Sequence, residues 1–170
     1  MRDVYLGLGS NLGDKSANIH RAVELLGEIS QVHQVSSLFK TEPVGNRDQD
    51  WFLNCAVEIE TALEPRQLLA AALAIEKKLK RVRTIKNGPR TIDIDILFHG
   101  RRVVNESGLV IPHPRLHQRL FVLAPLEEIC PDFAHPVLAQ TVRELLLGLD
   151  DHLHGQVAVE KLSDQGSLEA

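Results

Sequence analysis

Cysteine and aromatic residues are scarce in this chain. Two cysteines in 170 residues, Cys55 and Cys130, are too few for a disulfide framework. Both sit in apolar sequence (Cys55-Ala-Val, Glu-Ile-Cys130), which reads as buried, reduced thiols. Aromatic residues are 4% of the chain, so few rings are left for a site once a core is built. No apolar run approaches the ~18 residues of a membrane span. No charged-then-apolar leader precedes the first expected strand, so the expectation is a cytoplasmic protein with no membrane partner. Neither charge sign dominates: 19 Lys+Arg against 23 Asp+Glu give a net charge of −4. That excludes a globally basic nucleic-acid binder, though not a local basic patch. A P-loop and a nucleophilic Ser or Cys motif are also missing. The length suits one domain that buries roughly 70% of its unfolded-chain surface, and it needs no disulfide or metal to fold.

Charge is unevenly placed. Residues 76–102 hold nine basic side chains against Glu76, Asp93 and Asp95, a net of +6 in a chain that is −10 elsewhere. Such a concentration suits an anion, most simply a phosphate; the alternative is a solvated helix end, since cations favour helix C-termini. Val4–Leu8 reads as a strand ended by Gly9-Ser10-Asn11, followed by a helix capped by Asp14 or Ser16, with Ile19, Ala22, Val23 and Leu26 at helical spacing. Residues 32–39 read as a second strand and 41–51 as a loop. Phe52–Glu60 is a third strand with Leu53, Cys55, Val57 and Ile59 on one face. Pro65 opens a long helix with Leu68, Leu69, Ala72, Ile75, Glu76 and Leu79 inside. A basic loop at 81–89 leads to a fourth strand, 91–98. The order βαββαβ predicts an α+β, ferredoxin-like antiparallel sheet with both helices packed on one face. A C-terminal hairpin/helix extension follows: an added strand at 102–104, a Pro112-His113-Pro114 turn and helices near 115–122 and 141–149. The domain is expected over 1–154, with 155–170 a loosely ordered tail.

Thr91-Ile92-Asp93-Ile94-Asp95-Ile96-Leu97 is the most informative stretch. Strand alternation points Ile92, Ile94 and Ile96 one way and Asp93 and Asp95 the other, about 6.5–7 Å apart along the strand. Adjacent carboxylates repel unless something positive lies between them. Mg²⁺ suits them, because it takes one or two carboxylates with water and substrate phosphates; the alternative is a solvated sheet face. Asp-x-Asp alone is a weak motif. Gly88-Pro89-Arg90 and Arg81-Val82-Arg83 beside it bring the guanidinium groups that phosphoryl-type transfer uses. Gly7-x-Gly9-x-x-x-Gly13 lacks the dinucleotide spacing and is assigned to a turn and close packing. His113 and His117 have no acidic or cysteine partner in motif spacing and are not read as a zinc pair.

Gly9-Ser10-Asn11-Leu12, Thr41-x-Pro43-x-Gly45, Phe52-Leu53-Asn54, Arg81-x-Arg83, GPRTIDIDIL at 88–97 and Pro112-His113-Pro114-Arg115 occur in an order that resembles the 6-hydroxymethyl-7,8-dihydropterin pyrophosphokinases, over about residues 4–135. The resemblance implies a ferredoxin-like fold and transfer of pyrophosphate from ATP to the pterin hydroxymethyl group, releasing AMP, in folate biosynthesis. It implies that Asp93 and Asp95 bind two Mg²⁺ ions. Arg81 and Arg90 would act catalytically on the polyphosphate, Arg81 from a loop that closes over the site. Glu76, Arg83, Arg90, Ile96, His113 and Arg119 would contact ATP. Thr41, Pro43, Val44, Phe52, Asn54 and Phe121 would hold the pterin, the two rings as a sandwich. Where some members carry Trp before Gly-Pro-Arg this chain has Asn87, in a loop one residue shorter, which bears on how that loop covers the pterin. Trp51 is either a substitute aromatic or a loop anchor. A monomer with small-molecule substrates and no nucleic-acid partner is expected. Two competing readings are a kinase that moves only the γ-phosphoryl group, and an RNA-binding sheet. The latter needs inner-strand aromatics where this chain has Asn54, Ala56, Glu58, Asp93 and Asp95.

Overall fold

The computed structural model describes residues 1–43, 48–79, 91–149 and 159–162. Strand β1 (Val4–Ser10) buries Val4, Leu6 and Leu8 toward one sheet face and turns Tyr5, Gly7 and Gly9 to the other. Helix α1 (Lys15–Ile29) is capped by Asp14, whose Oδ1 accepts the Ala17 N–H at 3.1 Å, and buries Ile19, Ala22, Leu25 and Leu26. Strands β2 (Gln31–Val35) and β3 (Phe39–Thr41) replace the single strand expected at 32–39. Strand β4 (Phe52–Glu60) is long enough to pair with both: β2 lies along Val57–Glu60 and β3 along Phe52–Asn54.

The break between β2 and β3 comes from one hydroxyl. Ser36 N–H donates to the Ala56 carbonyl at 2.9 Å, and the Ala56 N–H donates back to Ser36 Oγ at 2.8 Å, where a regular ladder would offer a main-chain oxygen. The next amide, Ser37 N–H, turns away to Glu128 Oε1 at 2.6 Å. Ser36→Ala leaves the buried Ala56 N–H without its acceptor, and a loss of about 1–3 kcal/mol is expected. Urea denaturation of the variant against the original chain checks this, through the midpoint at unchanged m.

Helix α2 (Pro65–Lys78) starts with Pro65 in its first turn and buries Leu68, Ala72, Ile75 and Glu76. Strand β5 (Asp93–His99) runs beside β1, giving the order β5-β1-β4 with β2 and β3 on the far side of β4, all antiparallel. This is the ferredoxin-like arrangement expected, with α1 and α2 over one face, where Cys55, Val57, Ile59, Ile92, Ile94 and Ile96 meet them. The hairpin strand expected at 102–104 begins only at Val104, and Arg102 before it pairs with Glu64; strands β6 (Val104–Glu106) and β7 (Leu109–Ile111) turn at Gly108, φ +76°.

The helix expected at 115–122 lies further on. Leu116–Gln118 is a 3-10 turn, and helix α3 spans Leu120–Ile129 with Pro125 inside it. Proline there gives up one main-chain hydrogen bond, and burial of Val122, Leu123, Pro125 and Leu126 outweighs it. Helix α4 (Val142–Leu147) carries a Thr141–Glu144 capping box. Both pack on the second sheet face, against a cluster of Tyr5, Phe98 and Phe133. Within the expected tail, Val159–Lys161 forms strand β8 on the outer edge of β3, and Lys161 pairs with Glu128 at 3.0 Å. Leu162 N–H then donates to the Leu38 carbonyl at 2.9 Å, and residues 155–158 and 163–170 lie outside the described residues. Both cysteines are free and buried as expected, and burial pushes the Cys55 thiol up to about 12. Among the described residues no helix is long and apolar enough to cross a membrane.

Candidate active site

Helices α3 and α4 cover only part of the second sheet face. The uncovered part is the floor of a pocket of about 140 Å³. Two cross-strand rows build that floor: Asn54–Gly9–Asp93 and Ala56–Gly7–Asp95, each running from β4 through β1 to β5. The middle member of each row is glycine, so nothing rises between the amide on one side and the carboxylates on the other. Two strand spacings, about 9.5 Å, separate Asn54 from Asp93 along the first row. A Cβ on Gly9 would lie 2.6 Å from Asn54 Oδ1, whereas one on Gly7 would meet Leu97 at an ordinary 3.5 Å. Gly7 and Gly9 therefore belong to the strand, which runs on to Ser10 rather than ending at Leu8; of the three glycines only Gly13, φ +69°, makes a turn. The close-packing half of the sequence reading holds for Gly9, and the turn half only for Gly13.

The walls come from neighbouring elements. Thr41 and Glu42 follow β3, Phe52 opens β4, and Phe121 and Val122 open α3. Asn54 Nδ2 donates to Thr41 Oγ1, which fixes the amide of a residue that is 9% exposed. Arg119 sits 5.5 Å over the Phe121 ring, and both line the pocket with Arg115. The loop before β4 is pinned from the β1–α1 turn. Asn11, 2% exposed, donates to Gln49 Oε1 at 2.8 Å and to the Asp50 carbonyl at 3.1 Å, and Lys15 Nζ donates to the Trp51 carbonyl at 2.8 Å. Trp51 does not line the pocket, and Lys40 Nζ lies 5.2 Å from its ring centre.

Of the residues expected at a site, Asp93, Asp95, Thr41, Phe52, Asn54, Arg119 and Phe121 line this one pocket. Pro43 is buried and does not line it. Glu76 lies behind β5 on the α2 side, 3% exposed, where Oε1 accepts the Ile94 N–H at 2.9 Å. Ile96 turns its side chain into the core beneath α1 and α2, leaving its main chain on the sheet-edge strand for any contact. His113 is half-buried: its N–H donates to the Leu97 carbonyl at 3.0 Å and its Nδ1 accepts the Arg115 N–H at 3.2 Å. Burial, reinforced by the Arg119 guanidinium and only partly offset by Asp93, pushes this imidazole down to about 4. It is neutral at pH 7, with its proton on Nε2. Val44, Arg81, Arg83 and Arg90 lie outside the described residues.

Sequence reasoning missed Gly7, Gly9, Leu97 and Arg115 as lining residues. The glycines carried a usable signal, since residues 7 and 9 share a strand face. Among the described residues no group of three or more His, Cys, Asp or Glu side chains could hold a metal. Two carboxylates are what Mg²⁺ asks of a protein when a phosphate and water complete its shell, so the donor set fits that ion and not a closed structural metal site.

Fold and pocket together define an α+β domain of the ferredoxin-like class, with a cleft lined by two carboxylates, two arginines, an amide and two aromatic rings. Comparisons sharpen this. Residues 5–131 match the family described as 7,8-dihydro-6-hydroxymethylpterin-pyrophosphokinase (HPPK). A 2-amino-4-hydroxy-6-hydroxymethyldihydropteridine pyrophosphokinase of Bacillus subtilis is 49% identical over 128 residues, 74% of this chain and 77% of that one. The protein of the same name from Methylorubrum extorquens is 48% identical over 152 residues, 88% of this chain and 95% of that one. In solved structures, a wild-type Plasmodium falciparum HPPK-DHPS with pteroate superposes with a TM-score of 0.74 at 17% identity, over 91% of this chain and 45% of that one. That last likeness speaks for the fold alone, and this chain spans under half of the solved HPPK-DHPS chain. The chain belongs to the HPPK family.

Proposed function

We propose that the pocket over Asn54, Gly9 and Asp93 carries out the reaction of the family. Pyrophosphate passes from ATP to 6-hydroxymethyl-7,8-dihydropterin, giving the pterin diphosphate and AMP, in folate biosynthesis. The chain is an ATP-dependent pyrophosphoryl transferase. The observation that carries the reading of the site is the pair of floor rows, which set an amide for a heterocycle edge and two carboxylates on one flat surface, with Phe52 and Phe121 at its sides.

In this reading the pterin ring lies between Phe52 and Phe121, and Asn54, with the Thr41–Val44 main chain, reads its hydrogen-bonding edge. The short span to Asp93 brings the hydroxymethyl group toward β5. Asp93 and Asp95 would hold Mg²⁺, two ions in all; bound there, the metal supplies neutralisation of phosphate oxygen charge and a lowered pKa for a coordinated hydroxyl. Arg81 and Arg90 grip the polyphosphate, with Arg83 and Arg119 adding charge, so that negative oxygens meet guanidinium groups as the bond to AMP breaks. His113, neutral at pH 7, offers Nε2–H as a donor to the nucleotide. Glu76 supports the site by holding Ile94, the residue between the two aspartates. We further read residues 1–154 as the pyrophosphokinase domain, working as a cytoplasmic monomer.

A coupled assay of nucleotide release tests the reading. AMP formed only when the hydroxymethyldihydropterin is present is the expected result. ADP as product would mean transfer of the γ-phosphoryl group alone and would overturn it.

A further inference from the structure

Arg115 has no part in the roles above, although it lines the same pocket. Its backbone is firmly placed. The turn before it is tied to β5 through His113 N–H and the Leu97 carbonyl, its own N–H donates to His113 Nδ1, and its carbonyl accepts the Gln118 N–H at 3.0 Å. Leu116, the next residue, is fully buried. Leu97 is on the face of β5 that carries Asp93 and Asp95, so Arg115 rises from the wall beside the aspartate end of the floor.

The side chain, in contrast, is uncommitted. Arg2, Arg21, Arg66, Arg102 and Arg143 each pair with a carboxylate on the surface, and Arg119 stacks on Phe121. The Arg115 guanidinium makes no ion pair and no hydrogen bond among the described residues. Its charge is felt in the site, since it helps to depress the His113 imidazole. An unpaired planar cation over a concave polar surface is arranged for an oxyanion that it can grip with two N–H groups. It shares its pocket both with Phe52, Asn54 and Phe121, the residues assigned to the heterocycle, and with Asp93 and Asp95, assigned to the metal-bound phosphates, so the oxyanion it meets is one joined to that heterocycle.

We propose that Arg115 binds the diphosphate carried by the pterin product, an inference that rests on the pterin reading of this pocket. The test is calorimetric titration of the full-length chain and its Arg115→Ala variant with three probes: the pterin diphosphate, the free hydroxymethyl pterin and AMP. The expected result is that the variant binds the diphosphate about tenfold or more weaker, the size of one charge-assisted hydrogen bond. The pterin alcohol and AMP should bind as before, and Arg115→Lys, which keeps the charge but loses the two-pronged donor, should regain only part of the loss. Equal weakening toward the alcohol and the diphosphate would indicate a merely structural role and overturn the proposal, as would unchanged diphosphate binding. If the original chain itself fails to release AMP in the presence of the pterin, the reading of the pocket fails instead, and the two failures are thereby told apart.

Discussion

Asp95→Asn is expected to lower kcat by about a thousandfold or more while the chain still folds, and Asp93→Asn to do much the same. The size follows from the several kcal/mol of charge stabilisation that a metal supplies to a phosphoryl oxygen, at about 1.4 kcal/mol per tenfold in rate. Folding should survive because neither carboxylate is part of the hydrophobic core: both side chains are partly exposed on the pocket floor. Asparagine keeps the shape and removes the charge. Steady-state AMP release beside a thermal melt measures both quantities. Near-normal turnover in both variants would remove the metal assignment.

Gly9→Ala is expected to raise the KM for the pterin about tenfold, equivalent to about 1.4 kcal/mol of binding, with the KM for ATP nearly unchanged. The added Cβ would stand 2.6 Å from Asn54 Oδ1, a separation that real structures do not tolerate. Asn54 cannot step aside cheaply, because its amide is committed to Thr41 and it is nearly buried. The conflict is therefore expected to turn the amide proposed to read the pterin away from Thr41. Gly7→Ala is the control, since its Cβ meets only Leu97 at 3.5 Å and should have a smaller effect. A tenfold rise in both Michaelis constants for Gly9→Ala would point to general damage rather than to the amide.

Much of this was legible from residue order. Alternation along Asp93–Leu97 separates the carboxylates from Ile94 and Ile96, and the structure keeps that separation: the isoleucines face α1 and α2 and the aspartates face the pocket. Pro65 and the spacing of Leu68, Ala72 and Ile75 are local signals, and helix α2 begins and packs where they place it. The strand expected at 32–39 fails for a reason that local pattern does not carry. Its break depends on Ser36 meeting Ala56, twenty residues away, and on Glu128 taking the Ser37 amide from another element. Strand β8 is invisible for a similar reason, since Val159–Lys161 is ordered by the exposed edge of β3 rather than by its own composition.

The seven rings of the chain show the same division. Nothing in their sequence setting distinguishes Phe98 and Phe133, which pack with Tyr5 in the core, from Phe52 and Phe121, which line the pocket. Residue type and spacing alone were enough to establish the carboxylate pair, the basic segment and the ferredoxin-like order of elements, because strand and helix periods are properties of the local backbone. Only the folded chain decided which glycines make a floor, that Glu76 and Ile96 stand behind it, and that Arg115 enters with its charge unpaired among the described residues. Those outcomes depend on register between strands and on which part of a sheet face the last helices leave uncovered, and both arise from contacts between residues far apart in the chain.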